Sequence, residues 1–328
     1  MSPNRFKISS FNLYNLALPE QKYYDRVYSR ADYQQKIQWV AGQLGRMDSD
    51  IVGFQEIFHS AALQEALDQS SKYQGASLLI ANETGEKPVV GLATRFPVLD
   101  HEVIGEFPLQ AQLEIEGMPI PIKNFSRPVL RVKLQIRSTL ELVVFVTHLK
   151  SKNPQIGEGM DRHNPMERAL GKARSLMVRA AEATALRCLL LDYLKGNNNP
   201  IVIMGDVNDD GQAVTSEIIA GSPPWRKLPW EKKLKIWDTL LYNVKDIQAR
   251  QSYRDIYYTH IHNGYYESLD HIFVSQEFLR QNPNHLGYVE YVSLLNDHLI
   301  DETLSEEEIP LWHSDHGQVT VTVRLRDS

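Results

Sequence analysis

Residues 200–209 read PIVIMGDVND, and the way this stretch is built decides the fold. Pro200 introduces four apolar residues in a row, three of them β-branched, which is the composition of a strand buried on both faces. Gly205 and then Asp206 and Asn208 follow at once, so a carboxylate and an amide stand where the strand runs out. The ends of buried strands are where α/β folds collect their ligand-binding groups. Working outward, the same arrangement recurs. Asn12 follows KISSF, Glu56 follows DIVGFQ, His148 follows LVVFVT, Asp270 opens the strand HIFVS, and Asp315 and His316 precede QVTVTVRL.

Strands are predicted over 6–11, 51–54, 89–94, 129–136, 140–147, 201–204, 271–274 and 318–325. RVKLQIR and QVTVTVRL alternate and so have one wetter face, whereas IVGF and IVIM are apolar throughout. A long helix is predicted over 165–194, with Leu170, Ala173, Met177, Ala180, Cys188 and Leu191 as its buried stripe and Gly196, Asn197–Asn199 and Pro200 as its stop. Shorter helices are expected over 33–46 and 61–69. Strands of both kinds with helices between them imply an α/β sandwich, with sheets inside and helices outside. No Gly/Ser/Pro-rich linker and no repeat divides the chain, so residues 1–328 are expected to form a single domain.

Composition narrows the classes. With 42% hydrophobic and 23% charged residues in 328, the chain can bury a large core and is neither disordered nor fibrous. One cysteine, Cys188, cannot make an intrachain disulfide, which excludes a secreted disulfide scaffold and leaves that thiol as expected core. A net charge of -6 argues against avid, sequence-independent nucleic-acid binding by the whole surface. No stretch approaches the roughly 18 apolar residues of a membrane span, and MSPNRFKISSFN enters its first strand without an apolar leader. A soluble, cytoplasmic protein is expected, although a removed leader would leave the same text. Oligomeric state has no signal.

Each polar strand end has an ordinary explanation. Glu56 could cap the helix beginning at IFHSAALQEAL, GDVND is good turn chemistry, His148 could be a satisfied core histidine, and Asp270 could turn a loop. Jointly these explanations are poor, because all would have to place carboxylates, amides and imidazoles at equivalent strand termini by accident. Oxygen donors without cysteines select Mg²⁺, with Mn²⁺ or Ca²⁺ as substitutes, over structural zinc. A divalent ion with histidines and an orienting carboxylate nearby is a kit for phosphoester hydrolysis.

The ordered set FN (Asn12), QE (Glu56), SRP (Arg127), THL (His148), GDVN (Asp206, Asn208), LDHI (Asp270) and SDH (Asp315, His316) resembles the endonuclease/exonuclease/phosphatase superfamily, over residues 6–325. That resemblance implies a four-layer α/β sandwich, two packed mixed and mostly antiparallel sheets flanked by helices, with the active site at one edge. It implies Glu56 as principal Mg²⁺ ligand with Asn12 and Asp315 beside it, and Asp206 and Asn208 positioning the attacking water and the phosphate. Asp270 would orient His316, His148 would touch phosphate or assist the leaving group, and Arg127 and Asn12 would face substrate.

The superfamily fixes the bond and leaves the substrate open. Between Arg127 and Arg187 stand twelve Lys/Arg against five Asp/Glu, a net +7, and Lys150 and Lys152 lie just beyond His148, so a phosphate-binding edge that includes Lys150 is expected. Tyr23, Tyr24, Tyr28 and Arg30 after Asn12, and Tyr257, Tyr258, Tyr265 and Tyr266 before Asp270, could stack bases or pack loops. Asp297, Asp301, Glu302, Glu306, Glu307 and Glu308 oppose a long polyanion. The order of readings is a nuclease or phosphodiesterase, with nucleic acid as substrate; then a phosphomonoesterase on a phosphorylated metabolite or lipid headgroup; then an inactive binding module.

Overall fold

Ile201–Asp206 is buried at every residue and lies in the interior of a six-stranded sheet. The chain, described by a computed structural model over residues 4–225, 227–251, 257–262, 265–301 and 308–326, runs β1 (Arg5–Leu16), α1 (Arg30–Met47), β2 (Ile51–Ile57), α2 (Ser60–Gln69), β3 (Ser77–Ile80), β4 (Val89–Thr94), β5 (Val98–Glu106), β6 (Asn124–Arg137) and β7 (Leu140–His148). It continues through α3 (Pro165–Leu194), β8 (Ile201–Asp206), α4 (Val214–Ala220), α5 (Trp230–Trp237), β9 (Leu241–Asn243), α6 (Val244–Gln251), a hairpin of β10 (His260–His262) and β11 (Tyr265–Glu267), β12 (Asp270–Ser275), β13 (Gly287–Leu295) and β14 (Gln318–Leu325). Residues 302–307, with three of the six acids of the acidic stretch (Glu302, Glu306 and Glu307), lie outside the described residues.

One sheet has the order β13-β14-β1-β2-β4-β3 and the other β9-β12-β8-β7-β6-β5. Among the described residues only β1–β2 and β7–β8 pair in parallel; the remaining pairs within both sheets are antiparallel. The sheets pack face to face through Ile8, Leu92, Val132, Val144, Met204, Ile272 and Val321, among others. α1 and α2 cover the outer face of the first sheet through Ile37, Val40, Leu44 and Leu63. α3 and α4 cover the second through Leu186, Leu190, Leu194 and Ile219. These are the four layers the sequence implied.

The long helix begins at Pro165, capped by the Asn164 side chain. Its buried face differs from the predicted stripe. Leu186, Leu190 and Leu194 pack on the sheet and Gly171, Ser175, Arg179 and Glu182 are buried under the loop that follows β7, while Met166, Leu170 and Met177 are 71%, 45% and 48% exposed, and Cys188 is only partly buried. The first half of the helix therefore turns a small and polar face inward.

Registry places the chemistry. His148 pairs with Asp206 and Asp206 with Asp270, so an imidazole and two carboxylates lie in a row across β7, β8 and β12. In the facing sheet Asn12 pairs with Gln55, one residue before Glu56. Gly205, at φ 142°, is required here: a Cβ would run into the Thr147 carbonyl, and the strand could not approach β7 closely enough to hold this row.

Candidate active site

Asp206 Oδ2 is the hub at the shared edge of the sheets. It lies 3.2 Å from Asn12 Nδ2, 3.4 Å from His148 Nε2 and 3.9 Å from His316 Nε2. Its other oxygen accepts the Asn208 N–H at 2.8 Å, an Asx turn that holds Asn208 at φ 54°. Burial raises the Asp206 carboxyl to about 7, against the pull of the charge on His316 and reinforced by Asp270. His316 Nδ1 is 2.7 Å from Asp270 Oδ2. Burial alone would lower this imidazole, but the Asp270, Asp315 and Asp206 carboxylates hold it well above the ordinary value, so it carries a proton. His148 goes the other way, held neutral by burial and by the nearby charges of Arg127 and His316.

Glu56 sits at φ 63°, a left-handed conformation that places its carboxylate between the two sheets. Oε2 accepts the Asn15 N–H at 3.0 Å, and Oε1 lies 3.4 Å from Asn12 Nδ2 and 4.0 Å from His148. Burial and then the adjacent Asp315 raise the Glu56 carboxyl. Asp315 Oδ1 is buried with no hydrogen-bond partner among the described residues. Two neighbouring carboxylates, one with an orphaned oxygen, form a hard-oxygen donor set that a divalent cation fits. Asn12 offers this site its NH₂, because its Oδ1 already accepts the Tyr14 N–H at 3.0 Å. Ligation through that oxygen would need the amide turned over. Asn208 Nδ2 is likewise engaged, donating to the Leu149 carbonyl at 3.0 Å.

Glu56, His148, Asp206, Asn208, Asp315 and His316 line a cavity of about 320 Å³, with Asn12 and Asp270 behind them and Arg127, Lys152, Tyr24, His260, His262 and Glu267 around it. The β10–β11 hairpin forms one wall. It is tied across the opening by Lys152 Nζ to Glu267 Oε1 at 2.8 Å. A single buried carboxylate, Glu182 of α3, accepts the Ser126 and Lys150 N–H groups, each at 2.6 Å, and so aligns the strands that bring in Arg127 and His148.

The basic stretch does not form the expected edge. β7 ends at His148, so strand alternation does not extend to Lys150, whose ammonium turns back onto Ser151 and lies outside the cavity lining. Arg131 pairs with Asp100 and Glu102, Lys133 with Glu141, and Arg179 with Asp209, while Arg187 is bound to the carbonyls of Ile219 and Thr239. Of the twelve cations, Arg127 and Lys152 reach the cavity. Most of the tyrosines pack: Tyr23 stacks on Tyr28 in the core and Tyr258 meets Tyr266 edge-on, whereas Tyr24 lines the cavity mouth. His260 and His262 were not singled out from the sequence. Their signal is the His-x-His step of THIH, which on a strand puts both imidazoles on one face.

A model of the Endonuclease/Exonuclease/phosphatase family matches residues 10–316. Among solved structures, humanized D. rerio TDP2 superposes with a TM-score of 0.57 at 16% identity, covering 98% of this chain and 100% of that one. The human Nocturnin catalytic domain with bound sulfate gives 0.57 at 14% identity, over 98% and 95%. The Bacteroides thetaiotaomicron mannosyl-6-phosphatase Bt3783 gives 0.55 at 18% identity, over 97% and 99%. These likenesses carry the fold. No curated protein sequence matches the chain.

Proposed function

The chain belongs to the endonuclease/exonuclease/phosphatase family, whose members are divalent-metal-dependent hydrolases of phosphoester bonds, and from that premise we propose a Mg²⁺-dependent phosphoesterase acting on a small or terminal phosphoester. One observation carries the reading. The carboxylates and imidazoles converge in a half-open cavity of about 320 Å³, at the lower end of small-molecule sites, which Arg127 and Lys152 reach but no continuous basic track lines.

Glu56 and Asp315 would hold the Mg²⁺, which supplies a Lewis acid for the phosphoryl oxygens. Asp206, held near neutral pH by burial, orients the attacking water and accepts its proton, with Asn12 and the Asn208 N–H fixing its carboxylate. His316, kept charged by Asp270, donates Nε2–H to the phosphoryl group as negative charge builds. Neutral His148 braces Asp206, and Arg127 meets the substrate phosphate at the mouth. A nuclease remains the second reading, favoured by Tyr24 beside Arg127, a stacking surface next to a cation.

The test is a turnover screen of p-nitrophenyl phosphate, bis-p-nitrophenyl phosphate, sugar phosphates, RNA and plasmid DNA, with Mg²⁺ and with EDTA. Monoester or terminal phosphoester turnover should exceed polymer cleavage, EDTA should abolish it, and Glu56→Gln should cost at least about 100-fold in kcat, the scale of losing one charge-stabilising group. Internal cleavage of plasmid DNA as the fastest reaction would promote the nuclease reading.

A further inference from the structure

His260 has no part in the chemistry above, yet it is among the most firmly placed residues at the site. It forms an isolated antiparallel bridge with His316, and the Gly317 N–H donates to the Thr259 carbonyl at 2.7 Å. Thr259 Oγ1 in turn accepts the Leu269 and Asp270 N–H groups at 3.0 and 3.1 Å. The main chain thus locks the root of the hairpin against the strand of Asp270 and the segment of Asp315.

The ring is oriented as well. His260 Nδ1 lies 2.9 Å from the Asp315 carbonyl oxygen, which can only accept, so Nδ1 carries the hydrogen and Nε2 keeps a lone pair. His316 repeats the pattern through its Nδ1 contact with Asp270, leaving its own Nε2 on the cavity side. Ligating histidines almost always have this form, one ring N–H held by a carbonyl or carboxylate and the other nitrogen turned to the metal. One donor atom from each of His260, Asp315 and His316 lies within 4.8 Å of the other two, and the rings are 4.8 Å apart. Asp315 Oδ1 is the buried oxygen that has no partner among the described residues.

We propose that His260, Asp315 and His316 form a second divalent-metal site, selective for a transition ion that accepts imidazole more readily than Mg²⁺ does, such as Zn²⁺ or Mn²⁺, with Asp315 shared between it and the oxygen site at Glu56. Two imidazoles and one carboxylate suit such an ion better than Mg²⁺, which prefers oxygen and water. A second grouping, Asp206, Asp270 and His316, has oxygens that are already engaged, Asp270 Oδ2 by His316 Nδ1 at 2.7 Å and Asp206 by Asn12 Nδ2 and the Asn208 N–H. The ion's use rests on the phosphoesterase reading: binding would release the Nε2 proton of His316 to solvent while Nδ1–H stays on Asp270, and the ion would place a second positive centre on the hairpin side of the cavity, taking over the charge that protonated His316 supplies in its absence. Its existence does not rest on that reading.

The experiment uses the full chain freed of metal and then titrated with Mn²⁺ under a large excess of Mg²⁺, followed by calorimetry and by electron spin resonance of free Mn²⁺. One Mn²⁺ per chain is expected in the wild type and in Glu56→Gln, with affinity falling at least about 10-fold in His260→Gln, the scale seen when a metal site loses part of its shell. Spin-echo modulation from two imidazole nitrogens on the bound Mn²⁺ in the wild type keeps the test decisive if the variant fails to fold. Full Mn²⁺ affinity in folded His260→Gln, no Mn²⁺ retained under excess Mg²⁺, or no nitrogen coupling would overturn the site. Nitrogen-coupled Mn²⁺ without turnover of any phosphoester removes the function and leaves the site; Mg²⁺-supported turnover without a nitrogen-coupled ion does the reverse.

Discussion

Lys36 has no exposed surface, yet its ammonium meets two main-chain oxygens, those of Tyr14 at 3.3 Å and His313 at 3.1 Å. Those carbonyls belong to the segments that carry Asn12 and Asp315, so the lysine ties together the two sides of the cation site from beneath. Burial lowers it to about 7, partly offset by the Asp315 and Glu56 carboxylates. The sign of its pH effect follows. From about pH 7 up to the ordinary lysine value of 10.5 the unfolded chain holds a proton that the folded chain does not, so this residue makes stability rise with pH there. Compared with Lys36→Met, the wild type should gain up to about 1.4 kcal/mol per pH unit between pH 7 and 9. Denaturant unfolding of both proteins across that range measures it, and parallel stability curves would show that the buried amine does not titrate.

Among the elements, α3 is the most instructive, because its sequence periodicity was clear while its buried face was not. Leu170 and Met177 form an apolar stripe, but the loop that walls the cavity needs the opposite side of the helix. Gly171 lets that loop approach: a Cβ there would lie 2.9 Å from Ile156 Cδ1 and 3.0 Å from the Gln155 carbonyl and from Pro154 Cβ. Ser175 Oγ binds the Asn153 carbonyl at 2.6 Å. Gly171→Val should therefore push residues 151–156 off the helix and raise KM several-fold while changing kcat little. Fold stability should move by about 1 kcal/mol or less, since leaving glycine inside a helix offsets part of the clash. Equal KM in variant and wild type would mean that the loop does not shape the substrate site. Elements buried on both faces, such as β2 and β8, were legible because IVGF and IVIM are short, rich in β-branched residues and bounded by turn or polar residues, which separates a buried strand from a buried helix. The edge strand β5, VLDHEVIGE, carries too little apolar signal to be seen without its partner, and in β13, GYVEYVSLL, a register shift between Val289 and Tyr291 breaks the alternation that would mark a strand.

Across the whole molecule, the residues at strand ends were legible because register forces them together: once β7, β8 and β12 are placed, His148, Asp206 and Asp270 have nowhere else to go. His260 and Lys36 were not, since one sits on a hairpin whose docking no strand pattern dictates and the other on a helix face where lysine is expected in water. Charge was the least legible property. A net +7 between Arg127 and Arg187 suggests a polyanion track until the structure assigns Arg131, Lys133, Arg179 and Arg187 to internal partners. With Arg127 and Lys152 left at the cavity, an oligonucleotide should release only about one or two counterions on binding. Its KM should then rise roughly 4- to 12-fold between about 50 and 200 mM salt, where a protein making six to ten phosphate contacts loses about 10³ to 10⁵. Lys152→Ala should reduce the logarithmic slope by at most about one, since that ammonium must leave Glu267 to meet a phosphate, and Lys150→Ala should leave it unchanged, because of the two only Lys152 lines the cavity. A thousand-fold loss in the wild type would require an extended phosphate track, and the small-cavity reading would give way to a nuclease.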